Sequence, residues 1–107
     1  MTVVVVGRGA RGVEGLTVSG HADYAQSGQD IVCAAISTLV TTCANSLESV
    51  VHIQPRVRQQ AKDAKLSVFL PEGLSPAQIH DAQIVFRTVL QGLEDLAHTY
   101  PDNLTIK

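Results

Sequence analysis

Gly7-Arg8-Gly9-Ala10-Arg11-Gly12-Val13-Glu14-Gly15-Leu16-Thr17-Val18-Ser19 is the stretch whose reading decides the fold. It comes after a β-branched run, Thr2 to Val6, and Gly7-x-Gly-x-x-Gly12 matches the glycine fingerprint of dinucleotide-binding proteins. That fingerprint works only if a helix opens at the glycines and offers its N-terminus to a pyrophosphate. The residues after Gly12 alternate instead: Leu16 and Val18 fall on one side, Thr17 and Ser19 on the other, and Gly15 interrupts. A period of two is the signature of a half-buried strand. The stretch therefore predicts two strands joined by a glycine-rich turn, a hairpin, and not a nucleotide cradle.

Working outward, Gly20 to Gly28 is small and polar and predicts a loop. From about Gln29 to Val50 the apolar positions Val32, Ile36, Leu39, Cys43, Leu47 and Val50 recur at steps of three and four, the mark of a helix with one buried stripe. Val51 to Ile53 predicts a short strand stopped by Pro55, and 56–64 a solvated connection. Lys65 to Leu70 alternates Leu66, Val68 and Leu70 against Ser67 and Phe69, a clear strand. Ser75-Pro76 opens a second helix, with Ser75 as N-cap and Pro76 at the first helical position. Its stripe is Ile79, Ala82, Phe86, Val89, Leu90, Leu93 and Leu96; Tyr100 to Asn103 ends it, and Leu104 to Ile106 forms a closing strand. The order ββαββαβ predicts an α+β two-layer sandwich, two helices on a mixed or antiparallel sheet, over a single domain spanning 1–107.

Bulk properties narrow the function. The chain has 107 residues, enough for one core, and 45% of them are apolar, which excludes disorder. A formal charge of -2 argues against a general nucleic-acid binder. No apolar run reads as long enough to span a bilayer, and the first residues lack a signal-peptide layout, so a cytoplasmic location is expected, with no membrane partner. Cys33 and Cys43 lie ten residues apart on one predicted helix, ~15 Å at ~1.5 Å per residue. A disulfide needs Cα atoms within about 7 Å, so two reduced thiols are expected.

The chemistry gathers around Gly20-His21-Ala22 and Asp30-Ile31-Val32-Cys33-Ala34-Ala35. One imidazole stands just before the loop and one thiol just after it, near a helix start. Backbone N–H groups and the positive dipole end at such a start favour a thiolate, and a nearby His can take the thiol proton and later give it to a leaving group. Cys33 falls off the stripe marked by Val32 and Ile36. From these residues alone two readings stay open, a nucleophile or an inert cysteine of the kind commonly buried in cores. The cap is also open: Asp30 as N-cap puts Cys33 at the third helical position, whereas Ser27 as cap sets it a turn deeper. Asp30 could orient His21 as well as cap.

The other polar residues have plainer explanations. Ser37, one turn after Cys33, could bond the Cys33 carbonyl. Cys43 reads as core. His52, His80 and His98 fall within regular elements without metal-ligand spacing, so no metal and no cofactor is expected. Arg56, Arg58, Lys62 and Lys65 form a basic stretch without interleaved aromatics, which favours a solvated face over direct nucleic-acid contact.

These residues in this order resemble the Prp family of bacterial ribosomal-processing cysteine proteases. The match centres on Ser19-Gly20-His21-Ala22, Gly28 and Asp30-Ile31-Val32-Cys33-Ala34-Ala35-Ile36-Ser37. It continues through Thr42, Asn45-Ser46-Leu47-Glu48 and Val89-Leu90-Gln91-Gly92-Leu93 to Tyr100-Pro101. The resemblance implies a homodimeric endopeptidase that removes a short N-terminal extension from a large-subunit ribosomal protein, number twenty-seven, cutting after a hydrophobic, aromatic-containing segment. Carried over by position, it makes His21 and Cys33 the catalytic dyad, with Asp30 and Ser37 in support. The 7–12 segment is where the chain departs most from the family, and no role is carried over to it.

Glycines at both ends of the loop, Gly20 and Gly28, suit hinges of a lid that orders over a bound peptide. Two rivals come from other classes. A non-catalytic ribosome-assembly module would contact RNA through Arg56 to Lys65 and tolerate loss of Cys33. A small-molecule thiol enzyme, such as an acyl transferase or peroxidase, would need a cofactor cradle or a resolving cysteine, and the sequence offers neither.

Overall fold

The structure, a computed structural model, describes residues 1–20, 27–60, 62 and 64–107, with the backbone alone for 27–30. Strand β1 (Thr2–Gly9) and strand β2 (Gly12–Ser19) form the predicted antiparallel hairpin. The strands run through the glycines, and only Ala10 and Arg11 lie between them. Gly12 makes the return possible with φ +95, a left-handed conformation that side chains disfavour. The register shifts between Gly7 and Arg8, an irregularity of the β-bulge kind. Because strand and not helix comes after Gly12, the glycines cannot serve a dinucleotide.

Helix α1 (Ser27–Ser49), strand β3 (Arg56–Gln60), strand β4 (Lys65–Phe69), helix α2 (Pro76–Thr99) and strand β5 (Leu104–Ile106) complete the order ββαββαβ. The sheet runs β3-β4-β2-β1-β5; β5 is parallel to β1 and every other pairing is antiparallel, so the sheet is mixed. Both helices pack on one face. There Val4, Leu16, Val18 and Val68 meet Val32, Ile36, Val40, Cys43 and Leu47 of α1 and Ala82, Phe86, Leu90 and Leu93 of α2. The unbroken valine run of β1 is thus half-buried: Val4 is fully enclosed while Val5 is 43% exposed.

Helix α2 starts as its sequence dictates. Ser75 accepts from the Gln78 N–H at 3.2 Å, and the Gln78 side chain accepts from the Ser75 N–H at 2.9 Å. This reciprocal capping box satisfies two otherwise orphaned donors. Farther along, Gln83 locks α2 to the hairpin. Its Oε1 accepts from the Val13 N–H and its Nε2 donates to the Val13 carbonyl, both at 2.8 Å.

Four expectations give way. Val51 to Ile53 is no strand: the chain leaves α1 through His52 in the left-handed conformation (φ +63), whose N–H donates to the Glu48 carbonyl at 3.1 Å. This αL cap turns Ile53 into the core, where it is 1% exposed, so its apolarity serves packing and His52 lies outside regular structure. The third strand is instead Arg56–Gln60, in what reads as a solvated connection. Every one of its residues is exposed because β3 is an edge strand, so no apolar alternation marks it. Val50 lies beyond the end of α1 and is 68% exposed, and Val40 takes its place in the stripe. Finally, Ile31–Ser49 does have the length and composition to cross a membrane, with 19 residues at mean hydropathy 1.4. In this fold its apolar stripe faces the sheet and α2.

Candidate active site

Cys33 stands one residue past Val32, and Ser37 one residue past Ile36. Val32 and Ile36 anchor α1 in the core, so a step of about 100° around the helix carries their neighbours to the edge of the buried stripe. Cys33 is accordingly half-buried and Ser37 exposed. Both open into a cleft of about 200 Å³ between α1 and the sheet. Its far wall comes from Thr2, Val18 and Leu66, and its rim from Gly20, Gln59, Gln60, Ala64 and Lys65. Two larger depressions on the molecule are lined by neither Cys nor His.

The helix start decides how α1 serves the thiol. With α1 beginning at Ser27, Asp30 is the fourth helical residue and not the cap, and Cys33 is the seventh. The boundary matches the Ser27 alternative to within one residue, the ordinary scatter of helix limits. Gly28 therefore lies in the first turn of α1 and cannot hinge a loop from outside the helix. Of the four N–H groups that a helix leaves unbonded, three belong here to residues 27–29, ~6 Å or more along the axis from Cys33. Side chains lean toward the N-terminus of their helix, so the Cys33 side chain covers the turn that carries those groups. Asp30, Cys33 and Ser37, spaced i, i+3 and i+7, share one helix face.

His21 and the rest of the expected lid, 21–26, lie outside the described residues, as does the side chain of Asp30. Gly20, the residue before His21, holds φ +79 and lines the same cleft as Cys33. The remaining histidines are elsewhere: His80 pairs with Asp81 at 3.2 Å on an exposed turn of α2, and His98 is exposed near its end. Cys43 is fully enclosed, and burial pushes its thiol up to about 12. It belongs to the core. The back-bond expected of Ser37 is made by its neighbour, with Thr38 Oγ1 donating to the Ala34 carbonyl at 2.9 Å. Among the described residues, no group of three or more His, Cys, Asp or Glu could hold a metal ion.

The contribution of β3 and β4 was not legible in the sequence. Gln59, Gln60 and Lys65 flank the cleft only because β3 pairs with β4 antiparallel, with Gln59 opposite Leu66 and Gln60 opposite Lys65. With 56–64 taken as a solvated connection, nothing pointed to them.

Comparison with known proteins finds relatives over nearly the whole chain. The chain is 33% identical over 94 residues to the ribosomal processing cysteine protease Prp of Mycoplasma pneumoniae, covering 86% of this chain and 84% of that protein. It is 27% identical over 96 residues to the Prp of Bacillus subtilis, covering 90% and 86% respectively. The Prp of Staphylococcus aureus, solved in complex with a substrate peptide, superposes with a TM-score of 0.86 at 21% identity, over 100% of this chain and 98% of that one. The family model for cysteine protease Prp matches residues 1–105, and the chain belongs to that family of ribosomal-processing cysteine proteases.

Proposed function

We propose that this protein removes the N-terminal extension of a large-subunit ribosomal protein, number twenty-seven, using Cys33 as nucleophile and His21 as base. One observation carries the reading: Cys33, half-buried on the edge of α1, opens into a cleft that also holds Gly20, the residue preceding His21. The Cys33 sulfur attacks the scissile carbonyl and forms a thioester, while His21 takes the thiol proton and delivers it to the departing amine. Water then hydrolyses the thioester. N–H groups of the first turn of α1 hold the oxyanion, one turn from the thiol and on the side toward which its side chain leans. Asp30 and Ser37 support the dyad from the same helix face. The protein acts in the cytoplasm as a homodimer.

The test is intact mass of the extended ribosomal protein before and after incubation with wild type or Cys33→Ala. Wild type alone releases a discrete N-terminal peptide. Cleavage by Cys33→Ala at the wild-type rate would remove Cys33 from the chemistry, and an uncut substrate with folded wild type would remove the substrate assignment. Light scattering checks the dimer.

A further inference from the structure

The face of the sheet opposite the helices carries an aromatic ring laid flat across two strands. Phe69 of β4 is half-buried. A methyl group added at Gly7 would meet its Cε1 at 2.9 Å, and one added at Gly15 would collide with the ring. Only glycine backbones on β1 and β2 let the ring lie down, which gives two of the glycines around the hairpin a purpose. One face of the ring rests on the sheet, and the ring lines a depression on that side.

Strand register then sets two cations beside the ring. Arg56 pairs with Phe69 and Arg58 with Ser67, and directly paired residues share a face. Both arginines are exposed, and among the described residues neither forms an ion pair. Together with Arg11, Glu14 and Glu72 they line a depression of about 540 Å³. Glu14 is already engaged by Arg11 at 3.3 Å, which holds its carboxyl below the usual range and leaves Glu72 as the remaining anion. On a chain of net charge -2 this end of the open face is locally cationic.

We infer that Phe69, Arg56 and Arg58 form a platform for single-stranded RNA, a base stacking on the ring and its flanking phosphates meeting the two guanidinium groups. Flat aromatic surface combined with arginine is the arrangement that binds single strands, whereas an acidic peptide would need the charges but not the ring. The expectation of no nucleic-acid contact rested on a basic stretch without aromatics, and the β3/β4 register supplies the aromatic from the neighbouring strand. The platform lies on the far side of the sheet from Cys33, so it binds independently of the proposed peptidase chemistry.

Fluorescence anisotropy with a labelled eight-nucleotide oligoadenylate tests it. Two phosphate contacts predict an affinity that falls about sevenfold between about 50 and 200 mM salt. Phe69→Leu, which still covers the glycines, lowers affinity about tenfold, and Arg56→Gln with Arg58→Gln abolishes most of the salt dependence. Both arginines are exposed, so the double variant keeps the fold, and Cys33→Ala binds as wild type does. No saturable binding, binding unchanged by Phe69→Leu, or a duplex bound as tightly as the single strand would each overturn the platform. Equal competition by a polyglutamate peptide would overturn it too, by assigning the face to an acidic protein.

Discussion

Gly20 and Gly73 hold nearly the same left-handed backbone, φ +79 and +77, in different surroundings. A Cβ at Gly73 would meet nothing within 4 Å, whereas one at Gly20 would sit 2.6 Å from the carbonyl oxygen of Met1. Alanine at either site incurs the left-handed penalty, about 1–2 kcal/mol. At Gly20 the obstacle is backbone and cannot rotate away, so β1 and the end of β2 must separate or the chain must leave φ +79. Gly73→Ala should therefore lower Tm by roughly 4–8 °C per kcal/mol lost and keep full activity. Gly20→Ala should lower Tm further. It should also reduce kcat/KM by about 100-fold, the usual consequence of moving a catalytic group by ~1 Å, because the next residue is His21, the proposed base. Differential scanning calorimetry and peptide-cleavage kinetics on the two variants make the comparison. Equal Tm values would refute the steric argument, and wild-type kcat/KM in Gly20→Ala would refute the proposed role of His21.

Cys43 makes stability fall at alkaline pH. Its thiol ionises near 9.0 in the unfolded chain but only at about 12 when folded. Below the first value both states keep the proton; above it the unfolded state binds fewer protons, so folding loses about 1.4 kcal/mol per pH unit up to the second. Urea titrations at pH 8 and 10 should show that loss in wild type beyond any in Cys43→Ala, and parallel pH profiles would contradict it. Gln83→Ala strands the N–H and carbonyl of Val13, itself 4% exposed, and should cost about 1–3 kcal/mol; an unchanged Tm would mean water replaces the amide. Phe86→Ala empties a fully enclosed site and should cost about 3–5 kcal/mol, seen as a large drop in the urea midpoint at unchanged m-value.

Local signals were legible wherever the chemistry is local. Ser75-Pro76 specifies a helix start because the cap acts within one turn, where the structure adds the reciprocal bonds to Gln78. The alternation after Gly12 specifies strand because it places Leu16 and Val18 on one face whatever they later pack against. Cys33 off the stripe of Val32 and Ile36 specifies a thiol at the rim of the core by the same geometry. Signals failed where packing outranked pattern. Ile53 looked like strand because it is apolar, but its apolarity is used at a helix end; β3 looked like a loop because an edge strand needs no buried side.

The sequence by itself therefore determined the hairpin and the two helices with their buried stripes, since each rests on spacing along the chain, while residue-by-residue resemblance pointed to the family. The tertiary structure alone decided that Cys33 faces a cleft walled by β2 and β4, that Gln59 and Lys65 flank it, and that Phe69 lies over Gly7 and Gly15 beside Arg56. Those neighbours are up to 62 residues apart in sequence and meet only through strand pairing and the packing of α1 on the sheet. Pairing register is set by the sum of many weak side-chain contacts across the sheet, which no local periodicity records.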